Sequence, residues 1–209
     1  MSDTLTQVID KVQDLLLDGA GTLFSTATCT AAVRQALHDL NLRAPIHAAT
    51  LITAIADQKE YELTDEPDAY LALGMHGLYL QGVLEYDTVI PFDTYTEDER
   101  LWFRLRTAQP ADDVMIAHFT IPHTVSGLDS ELTSTLSAFN DQVLVNGSCY
   151  HACIVRAAGK IESNNLDRNT PDNYRELARH FNQLYQAGLS RMSARRTVKY
   201  EPDLRRWAA

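Results

Sequence analysis

The chain predicts an α+β fold, mainly α: a bundle of about four helices drawn from 1–57 and 137–196, an antiparallel β-rich insert with its connector at 58–136, and an extended C-terminal arm at 197–209. Three observations carry this. Apolar residues recur at spacings of three and four near both ends of the chain. Between Gln58 and about Val125 that period gives way to short runs rich in β-branched and aromatic residues. The last nineteen residues, from Arg191 to Ala209, follow a long helical pattern with no further packed element.

In the first segment Leu5, Val8, Ile9, Val12, Leu15 and Leu16 share one face of a helix over 4–17, which Asp18-Gly19-Ala20-Gly21 ends. A second helix is expected from near Thr28, with Thr26 or Thr28 as its cap, to about Arg43, with Val33, Ala36, Leu37 and Leu40 inward and Pro45 marking its end. Within the insert, three to five strands are expected, including 60–63, 78–86, 101–106 and 115–122. The stretches 64–68, 91–99 and 109–113 separate them, being acidic or rich in turn residues, while 71–75 fits helix or strand. Leu101, Phe103 and Leu105 alternate with Trp102, Arg104 and Arg106, which gives one strand an inner and an outer face. A Ser/Thr-rich connector at 127–136 leads back to helix. The third helix fits 139–162, with Leu144, Gly147, Ala152, Val155, Ala158 and Gly159 as its small and apolar positions. The last starts at Thr170-Pro171, a cap followed by proline, and runs to about Arg195 with Tyr174, Leu177, Phe181, Leu184, Tyr185 and Leu189 at helical spacing.

A 209-residue chain with 45% hydrophobic residues buries a sizeable core, which excludes wholesale disorder. No apolar run reaches the roughly 18 residues that cross a bilayer, and the N-terminus lacks the pattern of a signal peptide, so a soluble protein made in a cytoplasm, with no membrane partner, is expected. The formal net charge of -10 is unevenly spread. Residues 57–113 hold fourteen acids against four bases, whereas 156–209 hold six acids against eleven bases. The acidic middle disfavours nucleic-acid binding there, because affinity for phosphates comes from Lys and Arg displacing counterions. Cys29, Cys149 and Cys153 are odd in number and read as reduced, buried thiols.

Motifs for chemistry are incomplete. Asp18-Gly19-Ala20-Gly21-Thr22 has no preceding strand and no Walker lysine, so a helix-ending loop explains it better than a phosphate cradle. Gly74, Gly77 and Gly82 lack a strand-to-helix context. Cys149 and Cys153 share a helix face, with His151 between them on another side, but no second Cys/His pair completes a zinc site. His118 and His123 read as hydrogen-bonded structural residues, and the acids 97–99 and 112–113 as solvated loops. No GxSxG elbow, HExxH helix or activated cysteine is present. Neither catalysis nor a bound cofactor or metal is therefore expected. DNA binding through the basic C-terminal third is disfavoured, because Arg175, Arg179, Arg191, Arg195 and Arg196 share their helix with Asp172 and Glu176 and no helix-turn-helix precedes them.

The final segment is basic on an acidic protein, and Tyr200, Leu204 and Trp207 give it apolar anchors. Trp, Tyr and Arg dominate binding energy at interfaces, so this segment reads as a docking arm.

The order of elements resembles the head-tail adaptor, or connector, proteins of tailed bacteriophages. The likeness lies in an opening helical pair, an insert entered through Gln58-Lys59-Glu60-Tyr61-Glu62-Leu63, and an exit through Phe119-Thr120-Ile121-Pro122-His123-Thr124-Val125-Ser126-Gly127-Leu128-Asp129, followed by two long helices and an arm. The resemblance implies a structural protein of the virion neck, assembled in the host cytoplasm as a ring, of twelve copies by the family pattern, around the DNA channel. Its partners would be further copies of itself, the capsid portal, and the tail or next neck protein, with DNA only as passing cargo. The portal-docking set would be Arg195, Arg196, Lys199, Tyr200, Leu204, Arg205, Arg206 and Trp207. Another neck or tail-completion ring protein is the alternative, ahead of a small cytoplasmic enzyme or a DNA-binding regulator.

Overall fold

Side chains take up early amides of the first three helices in the computed structural model, which describes residues 3–65, 72–80, 88–161 and 170–197. Thr4 caps α1 (Leu5–Leu15): its hydroxyl accepts from the Gln7 amide at 3.4 Å, and the Gln7 side chain accepts from the Thr4 amide at 2.8 Å. Such a cap stabilises a helix by about 1 kcal/mol. Ser25 caps α2 (Thr26–Arg43), which corrects the expected start near Thr28. The Thr28 amide donates to Ser25 Oγ at 3.3 Å, so Thr26 and Thr28 both lie inside the helix. α3 spans Ala138–Ile161, with Ser137 Oγ accepting from the Asn140 amide at 3.4 Å, and α4 spans Thr170–Thr197.

The chain divides into a helical unit, Met1–Ala44 with His123–Ala209, and a β unit, Pro45–Pro122. These limits differ from those expected at 57/58 and 136/137. The sheet begins earlier than its aromatic residues suggest, and the connector belongs with the helices. Asn41 pairs its side-chain amide with both backbone groups of His123, accepting at 2.7 Å and donating at 3.3 Å. Further along, hydroxyls stand in for a sheet ladder: Thr135 Oγ1 accepts from the Thr124 amide and Ser134 Oγ from the Ser126 amide, each at 2.8 Å. The Ser/Thr content of this connector is therefore structural.

Inside the helical unit, α1 contributes Val8, Ile9 and Val12 to the core, α2 contributes Val33, Ala36 and Leu40, and α4 contributes Phe181, Tyr185 and Leu189. α3 contributes Leu144, Cys149, Ala152 and Cys153. A helix that buries those four returns to the same face at 156–157, so Ala157 is buried while Val155, Ala158 and Gly159, also among the small and apolar positions of the pattern, are exposed. Leu184 on α4 is likewise exposed.

The β unit holds β1 (Ile46–Thr53), β2 (Glu60–Glu62), β3 (Gly74–Leu80), β4 (Thr88–Val89), β5 (Phe92–Glu97), β6 (Arg100–Leu105) and β7 (Val114–Ile121). Among its described residues all strand pairings are antiparallel, in a four-stranded sheet of order β1-β7-β3-β4 and a three-stranded sheet of order β2-β6-β5. Their inner faces share one core. Leu78, Met115, Ala117 and Phe119 come from the first sheet, and Tyr61, Leu101, Phe103 and Leu105 from the second, so the alternation at 101–106 is as expected.

Three details depart from the sequence reading. β1 was not expected, because its alternation is carried by small residues and follows directly on Pro45, which reads as a helix stop. The stretch 91–99, expected as a separator, contains β5; its outward positions are acidic or hydroxylated because they face solvent. Asp98 and Glu99, with φ of 50° and 64°, form the two-residue turn to β6, the primed hairpin geometry that matches strand twist. The strand expected at 78–86 is β3, starting at Gly74, and residues 81–87 lie outside the described residues.

Candidate interaction surfaces

The residues expected in the docking arm fall at the limit of the described structure. Arg195 and Arg196 lie in the last turns of α4, past Met192, which is buried. Lys199, Tyr200, Leu204, Arg205, Arg206 and Trp207 lie outside the described residues.

The groups that resembled chemical motifs are occupied structurally. The Asp18 carboxylate is buried and accepts from the amides of Thr22, Leu23 and Phe24 at 3.0, 2.8 and 2.6 Å, and from the Thr22 hydroxyl at 3.0 Å. Burial alone would raise its pKa, but these donors together hold it below the usual carboxylate value. The loop amides that would have cradled a phosphate already hold an anion belonging to the chain. The thiols of Cys29, Cys149 and Cys153 are buried, and burial pushes Cys29 up to about 11, Cys153 up to about 12, and Cys149 upward as well. A thiol held protonated in this way is a packing group and a poor nucleophile. His151 Nε2 lies 3.1 Å from Asp39, yet burial lowers its pKa against the pull of that carboxylate. His123 Nε2 lies 2.9 Å from the Ala44 carbonyl. Among the described residues, no group of three or more His, Cys, Asp or Glu side chains is placed to hold a metal ion, and no helix is long and apolar enough to cross a membrane.

Two outer surfaces of the β unit remain. On the three-stranded sheet, β6 carries Arg100, Trp102 and Arg104 outward between acids of both neighbours. Arg104 pairs with Glu60 at 3.3 Å and Arg100 with Glu62 at 3.0 Å, while Trp102 stacks on Tyr95 with ring centres 6.3 Å apart. Trp102 is the shared wall of two shallow grooves, one lined by Asp57, Lys59, Glu60 and Arg104, the other by Glu97, Asp98 and Arg100. The exposed ion pairs stabilise little, about 0–1 kcal/mol each, so this ladder sets the character of the surface more than its stability.

The four-stranded sheet differs in kind. None of β1, β3, β4 and β7 contains an Asp, Glu, Lys or Arg, although Pro45–Pro122 holds fourteen acids and four bases. Leu51, Ile116, Tyr79 and Val89 stand opposite one another across the outer face, one from each strand, with Leu51 58% and Val89 67% exposed. Beside this apolar row, His47 Nδ1 lies 3.2 Å from His76 Nε2, and His118 approaches the His76 ring. Partial burial, then the neighbouring His47 and His118, lowers the His76 pKa. Sequence reasoning missed this surface, although the absence of charge from these runs was a signal that could have found it.

A family profile described as SU10 adaptor protein matches residues 3–206. The chain belongs to the SU10 adaptor family. This adaptor is therefore a structural head-tail adaptor of a bacteriophage-like virion neck, and the resemblance noted in its sequence is the correct one. No curated protein matches it. Among solved structures, it is similar to a chain in the neck of the empty gene transfer agent (GTA) particle computed with C6 symmetry, with 14% identity, 83% of this chain and 87% of that one covered, and a TM-score of 0.30. It is also similar to a chain in the native GTA neck computed with C12 symmetry, with 15% identity, 87% and 91% covered, and a TM-score of 0.31.

Proposed function

We propose that this SU10-family adaptor forms a ring between the capsid portal and the tail or next neck protein, encloses the DNA channel, and docks on the portal through Arg195, Arg196, Lys199, Tyr200, Leu204, Arg205, Arg206 and Trp207. The observation that supports this reading is the extent of the family match, which begins at residue 3 and runs through Arg206, so the basic segment after α4 is part of the family pattern. An arm tethered to every subunit of a ring raises the effective concentration of all the others at the portal. Assembly takes place in the host cytoplasm and involves no catalysis or cofactor. Supporting the last point, the buried thiols are held protonated and the Asp18 loop is filled by its own carboxylate. DNA is passing cargo, in keeping with fourteen acids against four bases in the β unit.

The test is co-sedimentation of the chain lacking residues 200–209 with portal-bearing capsids. The truncated protein is expected to fold and to lose attachment. Retention at the wild-type level would overturn the docking role.

A further inference from the structure

β1 is the terminal strand of the four-stranded sheet, and among the described residues no strand pairs with its other edge. Which groups lie on that edge follows from two hydrogen bonds. The Ala54 amide donates to the Asp113 carbonyl at 2.7 Å, so Ala54 faces β7, and by the period of a strand so do Ile52, Thr50 and Ala48. From the other side, the Leu73 amide donates to the Thr120 carbonyl at 2.7 Å, so Thr120 faces β3 and its neighbours Phe119 and Ile121 face β1, which agrees. The amides and carbonyls of Ala49, Leu51 and Thr53 therefore point away from the sheet, and all three residues are exposed.

Open edges are normally protected by short length, proline, or charged side chains, because unpaired amides and carbonyls template another strand. β1 has none of these. It is eight residues long, contains no proline and no charge, and continues into the exposed apolar row that starts at Leu51. We propose that β1 is a joining edge, pairing with an extended segment of a second copy of this chain. The proposal rests on the adaptor reading above and names the surface through which copies meet.

Charge argues for a second copy as the occupant. Two β units, each with fourteen acids and four bases, repel wherever their charged surfaces approach. The four-stranded sheet is the part of the unit whose strands carry no charge, so like copies come together there without opposing carboxylates. Strand addition also satisfies the outward amides and carbonyls, and it extends the row of Leu51, Ile116, Tyr79 and Val89 onto the next molecule. Depletion of charge from the centre of a contact is the compositional mark of protein interfaces.

Two variants of the full chain test this. Ala49→Pro removes an outward amide and none directed at β7, the one kind of strand position where proline is tolerated. Leu51→Glu leaves the backbone intact and places a carboxylate on the joining edge, so it decides the matter should the proline variant fail to fold. Leu42→Glu, at an exposed position on α2, is the control. Self-association is followed by sedimentation velocity and by the number of copies retained on portal-bearing capsids, and the Ala49, Leu51 and Thr53 amides by hydrogen exchange. Wild type and control are expected to assemble, with those amides exchanging at least about tenfold more slowly than in the monomer, while both edge variants stay folded and monomeric. The inference is overturned if a folded edge variant assembles at wild-type concentrations. It is equally overturned if the amides exchange freely in the assembled wild type, if they become protected only when another neck protein is added, or if the wild type never self-associates in solution or on capsids. Capsid attachment is scored separately: a protein that joins through β1 and never attaches leaves this inference standing and removes the portal-docking reading.

Discussion

The Tyr185 hydroxyl donates to the Ala36 carbonyl at 2.8 Å and so ties α4 to α2 inside the helical unit. The ring reaches that carbonyl across a position of α3 with no side chain. A Cβ at Gly147 would lie 2.8 Å from the Tyr185 ring and 3.0 Å from the Ala36 Cβ. With the ring buried and its hydroxyl bonded, it has little room to yield.

Gly147→Ala is therefore expected to destabilise the helical unit, although alanine is the better helix former. Glycine in a helix interior costs up to about 1 kcal/mol relative to alanine, and overpacking a core typically costs about 1–3 kcal/mol. Tyr185→Phe, which keeps the ring and removes the hydrogen bond, should cost about 1 kcal/mol. Chemical unfolding of both variants checks the order. A Gly147→Ala protein at least as stable as wild type would show that the ring moves aside.

Asp98 and Glu99 both hold positive φ in the hairpin between β5 and β6. Left-handed backbone costs an ordinary L-residue roughly 1–2 kcal/mol, and the favoured pair at such a turn is Asn-Gly. Replacing Asp98-Glu99 by Asn-Gly is expected to stabilise the β unit by roughly 1 kcal/mol or more, read as a higher unfolding midpoint in urea.

The β unit is expected to lose stability in acid through His76. Its folded pKa lies below the model-peptide value of 6.5, through partial burial followed by His47 and His118. In the interval between the two values the unfolded chain binds the extra proton, so stability is fully present above about pH 6.5 and declines as pH falls toward the folded pKa. Unfolding midpoints measured from pH 7.5 to 5 should fall, and His76→Gln should flatten that fall. An equal slope in the variant would assign the effect elsewhere.

The arm carries the functional prediction. Trp207→Ala is expected to weaken portal attachment by about 2 kcal/mol or more per arm if the indole is fully buried at the contact, without altering the unfolding midpoint of the body. Binding of the variant to purified portal is the measurement, and an unchanged affinity would exclude Trp207 as an anchor.

The sequence by itself determined the helices, the mainly α class and the adaptor family. Long amphipathic patterns such as Val8, Ile9 and Val12, or Phe181, Tyr185 and Leu189, repeat a local geometric rule many times. The alternation of Leu101, Phe103 and Leu105 was legible for the same reason. β1 and β5 were not legible: one is built from small residues behind a proline, the other from acids and hydroxyls, and each is a strand because a partner lies beside it. Nor did the spacing of small residues on α3 reveal that Ala157 is buried and Ala158 exposed, since a rotation of one residue is settled by what packs opposite. The candidate surfaces divide in the same way. The composition of the basic arm can be read along the chain, but the row of Leu51, Ile116, Tyr79 and Val89 comes from four separate strands. Sheet register alone places those side chains together, because backbone pairing between distant segments, not the residues' own pattern, decides which of them are neighbours.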